Sequence, residues 1–204
     1  ALGKGLGELL SLDRIDFLTF SGHKFHAPRG IGFIYAKAGR KLAALMAGGG
    51  QEQNQRSGTE NLPAIAAMAK AIRLLLTDEE AKVAKQQAVR KMIYDHLAKF
   101  DKVTIFSQLT PNFAPHILCF TIDGVRGETI VHAFEEFGIY ISTTSACSSK
   151  KGIISGTLSA MKIPEKIATS AVRISLDEAN SDKEAAEFIK AFDILYKRFA
   201  KINS

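Results

Sequence analysis

Apolar residues run almost unbroken through residues 14–20 and 30–36, with Phe17, Leu18 and Phe20 in the first stretch and Ile31, Phe33, Ile34 and Tyr35 in the second. Runs this continuous suit strands covered on both faces, and they predict two strands of a covered α/β sheet. Ala27-Pro28-Arg29-Gly30 between them carries turn chemistry, and 40–46 offers a short helical piece at best. The period then changes. Ile65, Met68, Ile72, Leu75 and Leu76, followed by Val89, Met92, Ile93, Leu97 and Phe100, recur at helical spacing and predict one long helical element. Asn61 with Pro63 provides its start, a capping side chain followed by a ring that the first turn tolerates. Thr77-Asp78-Glu79-Glu80 reads as a second start of capping-box type, which breaks or kinks the element near Thr77.

After Asp101 the pattern becomes mixed. Residues 103–106 and 117–122 are strand-like, with Leu118, Phe120 and Ile122 on one face and Cys119 and Thr121 on the other. Cys119 is therefore expected to be a structural thiol. Ile130, Val131, Phe134 and Phe137 predict a helix over 127–137 that Gly138 stops, and 139–141 reads as a strand. Residues 142–152 are small and polar throughout, which predicts a loop with Cys147 exposed at its middle. Residues 171–176 alternate as a strand with Arg173 in its interior, and Ser181-Asp182-Lys183-Glu184 opens a helix bearing Phe188, Ile189, Phe192, Leu195, Tyr196 and Phe199 on one face. The expected architecture is α/β: the end of a large-domain sheet over 1–60, a connecting helical element over 61–100, and a small α+β domain over 101–204 with antiparallel character.

Composition changes this picture little but narrows the function. An excess of 27 Lys+Arg over 21 Asp+Glu is spread among acidic residues, and Lys150-Lys151 is too short and lacks the interleaved aromatics of a nucleic-acid surface. Nucleic acid is not expected as a partner; an acidic docking partner is compatible. Two cysteines without metal-ligand or CxxC spacing predict neither a zinc site nor a disulfide scaffold, and a reducing, cytoplasmic setting is expected. No uncharged apolar run of membrane-spanning length occurs, so no membrane association is expected. The start, Ala1-Leu2-Gly3, lacks Met and suggests a piece of a longer chain.

Two stretches carry candidate chemistry. Ser21-Gly22-His23-Lys24 follows the first apolar run, and a lysine at the end of a buried strand is either paired or chemically used, because desolvation disfavours its charge. Beside a hydroxyl and an imidazole it is a nucleophile able to form Schiff bases with carbonyl compounds. An ordinary surface turn accounts for the same four residues. Gly48-Gly49-Gly50 can be a flexible linker or a place where backbone comes close to a ligand or another segment.

Six stretches in order tie these features together. Ser21-Gly22-His23-Lys24-Phe25, Pro28-Arg29-Gly30-Ile31-Gly32, Gly48-Gly49-Gly50-Gln51-Glu52, Arg56-Ser57-Gly58-Thr59-Glu60-Asn61, Ser145-Ala146-Cys147-Ser148 and Val172-Arg173-Ile174-Ser175-Leu176 resemble the cysteine desulfurases in sequence and spacing. These belong to the class V aminotransferase branch of fold-type I pyridoxal phosphate enzymes. The likeness extends over essentially the whole chain, and the loop around Cys147 resembles the subclass with a mobile loop.

The resemblance implies that Lys24 holds pyridoxal 5'-phosphate covalently and moves the substrate Cα proton, and that Ser21 and His23 bind the cofactor phosphate. It implies that Thr59 reaches the phosphate in a neighbouring subunit, hence a homodimer. Arg173 would clamp the carboxylate of L-cysteine. Cys147 would take its sulfur as a persulfide, leaving alanine, for transfer to a sulfur-acceptor or iron–sulfur scaffold protein. An aminotransferase or a selenocysteine lyase on the same scaffold is the alternative, as is a cofactor-free interaction module. Family members carry about as much chain again before this segment, including the Asp-x-x-Gln pair at the cofactor ring, so this chain alone is expected to be inactive or nearly so. Asp177 departs from a more usual glycine.

Overall fold

The computed structural model describes residues 12–144 and 155–202. They fall into two compact units, Ala1–Glu80 and Ala81–Ser204.

In the first unit, β1 (Phe17–Ser21) and β2 (Gly32–Ala36) pair antiparallel, with Phe20 opposite Phe33 and Ser21 opposite Gly32. The Phe20 and Phe33 rings stack with centroids 4.5 Å apart. They face α2 (Leu62–Leu76), where Phe25, Ala27, Met68 and Leu75 form a small buried cluster. Asn61 caps that helix as expected, its Oδ1 accepting from the Ala64 N–H at 3.2 Å. The sheet differs from expectation in one respect. Exposure alternates along both strands and leaves Phe17 and Ile34 on an open face, 40% and 47% accessible, so among the described residues this two-stranded sheet is covered on one face only. The apolar runs are continuous because both faces carry apolar residues, not because both are covered. No helix forms at 40–46.

The helical element does break at Thr77, which adopts an extended conformation, and Asp78 follows with φ +54°. The expected capping box is absent there, because the Thr77 hydroxyl donates back to the Arg73 carbonyl at 2.8 Å and so closes the first helix rather than opening the second.

The second unit is built on a four-stranded antiparallel sheet in the order β3-β4-β6-β5, with β3 (Val103–Ile105), β4 (Ile117–Ile122), β5 (Ser142–Thr143) and β6 (Val172–Ser175). Against one face pack α3 (Glu79–Leu97), α4 (Gly127–Glu135) and α7 (Asp182–Ile202). Leu118, Phe120, Val172 and Ile174 meet Val89, Ile93, Phe134, Phe188 and Phe192 in that core. Phe134 and Phe188 stack at 4.8 Å, and Phe192 lies among Phe120, Phe100, Phe188 and Tyr196. The capping box at Ser181 is present: the Glu184 carboxylate accepts from both the N–H and the hydroxyl of Ser181. These bonds, the hydroxyl first, hold the Glu184 carboxyl below its ordinary range.

The second face of the sheet is also covered. Two short helices, α5 (Gly156–Ala160) and α6 (Glu165–Ala168), bring Leu158 and Ala168 against Phe106, Cys119 and Ala171. Neither helix stands out in the sequence, being one turn long. The strand expected at 139–141 lies instead at Ser142–Thr143. Gly138, at φ +69°, turns the chain out of α4, Ile139 N–H closes that helix onto the Phe134 carbonyl, and Tyr140 is 81% exposed. Ladder pairing begins only where Ser142 comes opposite Arg173.

Candidate functional site

The turn that follows β1 is a single 3-10 turn, Gly22–Phe25, and its shape explains which side chains it displays. Gly22 N–H donates to the Ile31 carbonyl at 2.9 Å and the Gly22 carbonyl accepts from Ala27 N–H at 3.1 Å, so both backbone groups of this residue are tied to the segment that leads into the return strand. A Cβ on Gly22 would stand 2.7 Å from the Ile31 oxygen, which no side chain allows. Phe25 turns inward, 3% exposed and edge-on to Phe33 at 6.3 Å, and His26 ends the turn in the left-handed region at φ +66°.

With Gly22 and Phe25 inward, Ser21, His23 and Lys24 point out. All three are exposed, as an ordinary surface turn would leave them. Ser21 stands at the N-cap without using its hydroxyl there, and among the described residues none of the three side chains is engaged by another. The set fits pyridoxal phosphate: a hydroxyl and an imidazole suit an anionic phosphate oxygen, and a primary amine suits an aldehyde.

A second constellation in the same unit joins two of the sequence motifs. Ser57, 8% exposed, donates from its hydroxyl to the Gly49 carbonyl at 2.9 Å and from its N–H to the Met46 carbonyl at 3.2 Å. Gly58 N–H reaches Gln51 Oε1 at 3.3 Å. The glycine run is therefore a close-approach segment and not a free linker; a Cβ on Gly48 would press on Ser57 Cβ at 3.2 Å. Between these ties lies α1 (Gln51–Asn54), in which Glu52, Gln53 and Asn54 take φ values of 49°, 57° and 65°. Left-handed conformation costs about 1–2 kcal/mol for each such residue, and backbone bonds from Asn54 to Gly50 and from Gln55 to Glu52 offset part of it. Of the three, only Asn54 hints in sequence at such a turn. Thr59 follows, exposed, immediately after Gly58 at φ +110°.

In the second unit Arg173 occupies β6 between two neighbours, opposite Cys119 on β4 and Ser142 on β5. Paired residues of antiparallel strands share a face, so these three side chains leave the sheet together. The Arg173 guanidinium is turned along its own strand, Nε–H donating to Ser175 Oγ at 3.1 Å. Burial pushes the Cys119 thiol up to about 12, against the opposing pull of the nearby guanidinium. Cys119 is the structural thiol expected, 8% exposed. Among the described residues, Arg173 has no carboxylate partner.

Ser21, His23 and Lys24 thus come together on one turn, Thr59 stands on a separate loop of the same unit, and Arg173 belongs to the other unit. Cys147 lies outside the described residues. β5 ends four residues before it, so the strand that leads to Cys147 is the one hydrogen-bonded beside Arg173. Sequence reasoning did not single out Ser175 or the left-handed turn at 52–54. The described residues contain no His/Cys/Asp/Glu group able to hold a metal ion and no helix long and apolar enough to cross a membrane.

Comparison with known proteins gives these features a common setting. Residues 11–188 match the model of the family described as aminotransferase class-V. A NifS/IcsS protein homolog of Lactobacillus delbrueckii subsp. bulgaricus is 58% identical over the whole of this chain, which covers 53% of that protein. The cysteine desulfurase IscS of Dictyoglomus turgidum is 33% identical over 79% of the chain and 41% of its own length. Among solved structures, a NifS-like protein of Rickettsia africae superposes with a TM-score of 0.79 at 27% identity, over 97% of this chain and 51% of that one. A second NifS-like protein gives 0.77 at 31% identity, over 96% and 50%. The chain spans about half the length of the relatives it matches. With the family model covering most of its residues and the same fold recurring in NifS-like structures, the chain belongs to the class-V aminotransferase family.

Proposed function

We propose that the protein to which these residues belong is a pyridoxal phosphate-dependent cysteine desulfurase, which converts L-cysteine to alanine and leaves the sulfur as a persulfide on Cys147. The observation that carries this reading is the turn 21–24, where a hydroxyl, an imidazole and an amine stand exposed together and unengaged among the described residues, in a chain whose relatives include proteins named cysteine desulfurase.

When bound, pyridoxal phosphate supplies the electron sink that lets a bond at the amino-acid Cα ionise. Ser21 and His23 would donate hydrogen bonds to its phosphate, and Lys24 Nζ would hold it and then take the proton from the substrate Cα. Arg173 would fix the substrate carboxylate through a planar fork that Lys does not offer. Cys147 Sγ would attack the cysteine sulfur: an S–S bond forms, the C–S bond breaks, and the thiol proton of Cys147 is balanced by the hydrogen gained at the alanine Cβ. Atoms and electrons close without an external oxidant. Thr59, exposed on its pinned loop, would serve a second copy's phosphate in a homodimer. The persulfide would pass to a sulfur-acceptor or iron–sulfur scaffold protein.

The test is Cys147→Ser in the full-length protein. The variant is expected to keep the bound cofactor's visible absorption and to lose alanine release from L-cysteine. Turnover at the original rate would contradict the assignment and favour a transaminase, which needs no thiol.

A further inference from the structure

We propose that Ser175 is a positioning residue that sets the aim of Arg173, so that the carboxylate of the amino-acid substrate is met by the two terminal nitrogens of the guanidinium and not by its Nε side. The inference rests on the reading of Arg173 as the carboxylate clamp. Its own support is the geometry of β6, where Arg173 and Ser175 are two residues apart and therefore on one face, with Nε–H donating to Ser175 Oγ at 3.1 Å.

A guanidinium offers five N–H donors in a fixed plane, and a carboxylate can take two of them in only two ways. One way uses Nε with its neighbouring terminal nitrogen; the other uses the two terminal nitrogens. The bond to Ser175 consumes the single Nε–H, so the first way is closed. Four terminal N–H groups remain. The bond also holds a long side chain in one orientation before substrate arrives, which lowers the ordering cost that binding would otherwise meet.

The neighbours of Arg173 leave that fork available. Its cross-strand partner Cys119 is a thiol whose ionisation burial holds off until about pH 12, and a neutral thiol does not compete with a carboxylate for the cation. Its other partner, Ser142, directs its hydroxyl to the Arg173 backbone carbonyl at 3.5 Å and not to the guanidinium. An acidic residue at either position would pair with Arg173 and displace substrate. Ser175 is the one described side chain that engages the guanidinium.

The experiment uses the full-length, cofactor-loaded enzyme and compares Ser175→Ala, Ser175→Thr and Arg173→Ala with the parent, on L-cysteine and on cysteamine, which lacks the carboxylate. Loss of one hydrogen bond to a charged group is expected to raise KM for L-cysteine about tenfold in Ser175→Ala with kcat nearly unchanged. Binding of cysteamine, followed as the change in cofactor absorption, should be the same in Ser175→Ala and the parent. Ser175→Thr, which keeps the hydroxyl, should restore KM, and Ser175→Ala should add nothing when Arg173 is already Ala. A raised KM for Arg173→Ala beside an unchanged KM for Ser175→Ala would overturn the proposal and leave the clamp standing. An unchanged KM for Arg173→Ala would overturn the clamp itself. Equal losses on L-cysteine and cysteamine in Ser175→Ala would show a merely structural serine, and would overturn the proposal as well.

Discussion

At the scale of single residues, burial assigns Cys119 a structural place. Cys119 is enclosed by Phe106, Leu158, Ala168 and Ala171, and its thiol is held neutral up to about 12. Reactivity belongs to the thiolate, so at pH 8 only about one molecule in ten thousand would present Cys119 as a nucleophile. Iodoacetamide applied to the folded protein at that pH should leave Cys119 unmodified, read by peptide mass spectrometry; rapid alkylation without unfolding would contradict the assignment. The same shift bears on stability. The folded thiol ionises later than the unfolded one, whose ordinary value is 9.0, so its contribution is complete below pH 9 and declines as pH rises toward 12. Cys119→Ala should flatten that part of the alkaline decline, measured by urea unfolding across this range.

Gly22 shows how one residue at this scale controls a site. Adding a methyl group would drive a carbon to 2.7 Å from the Ile31 carbonyl oxygen, a backbone atom that cannot rotate away. Gly22→Ala is expected to destabilise the turn by about 1–3 kcal/mol and to weaken cofactor retention although Ser21, His23 and Lys24 remain. Retention equal to the parent, read by absorption after dialysis, would contradict the view that the turn's shape displays the three side chains.

At the scale of elements, legibility in the sequence tracked length and periodicity. Helices α2, α3 and α7 and strands β4 and β6 each repeat their pattern several times, and Asn61 and Ser181 mark starts that the structure retains. The capping box at Thr77 failed because a threonine hydroxyl can turn backward as easily as forward, and here it closes the preceding helix. Strand β5 was misplaced because ladder partners, not local apolarity, decide where pairing begins; Ile139 and Ile141 pack against the core from a connecting segment. The helices α5 and α6 are too short for any period to register. Of the candidate site, the motif residues Ser21, His23, Lys24, Thr59 and Arg173 could be named from the sequence. Ser175 could not, because a bond between residues two apart depends on a side chain turning along its strand.

At the scale of the molecule, the two units differ in how much core supports them. The second unit buries a continuous aromatic cluster, with Phe120, Phe134 and Phe192 fully enclosed. Phe192→Ala there should cost about 3–5 kcal/mol, measured by chemical denaturation of the chain; a loss below about 1 kcal/mol would contradict the place given to this ring. Among the described residues, the core of the first unit is a two-stranded hairpin and its turn packed on α2, with four buried apolar side chains, and its sheet keeps an open apolar face. Two strands alone are marginal in water, so the turn carrying Lys24 depends on α2 and the hairpin staying packed.

The claim at the centre of this account is that Lys24, Arg173 and Cys147 serve one reaction, in which sulfur leaves L-cysteine and comes to rest on Cys147. The direct measurement is mass spectrometry of the full-length, cofactor-loaded protein after a limited exposure to L-cysteine, with released alanine counted in parallel. The account predicts that the peptide containing Cys147 gains the mass of one sulfur atom, that this gain disappears on reduction, and that one alanine is released for each sulfur retained. Alanine released while Cys147 stays unmodified, or sulfur found on Cys119 instead, would contradict it.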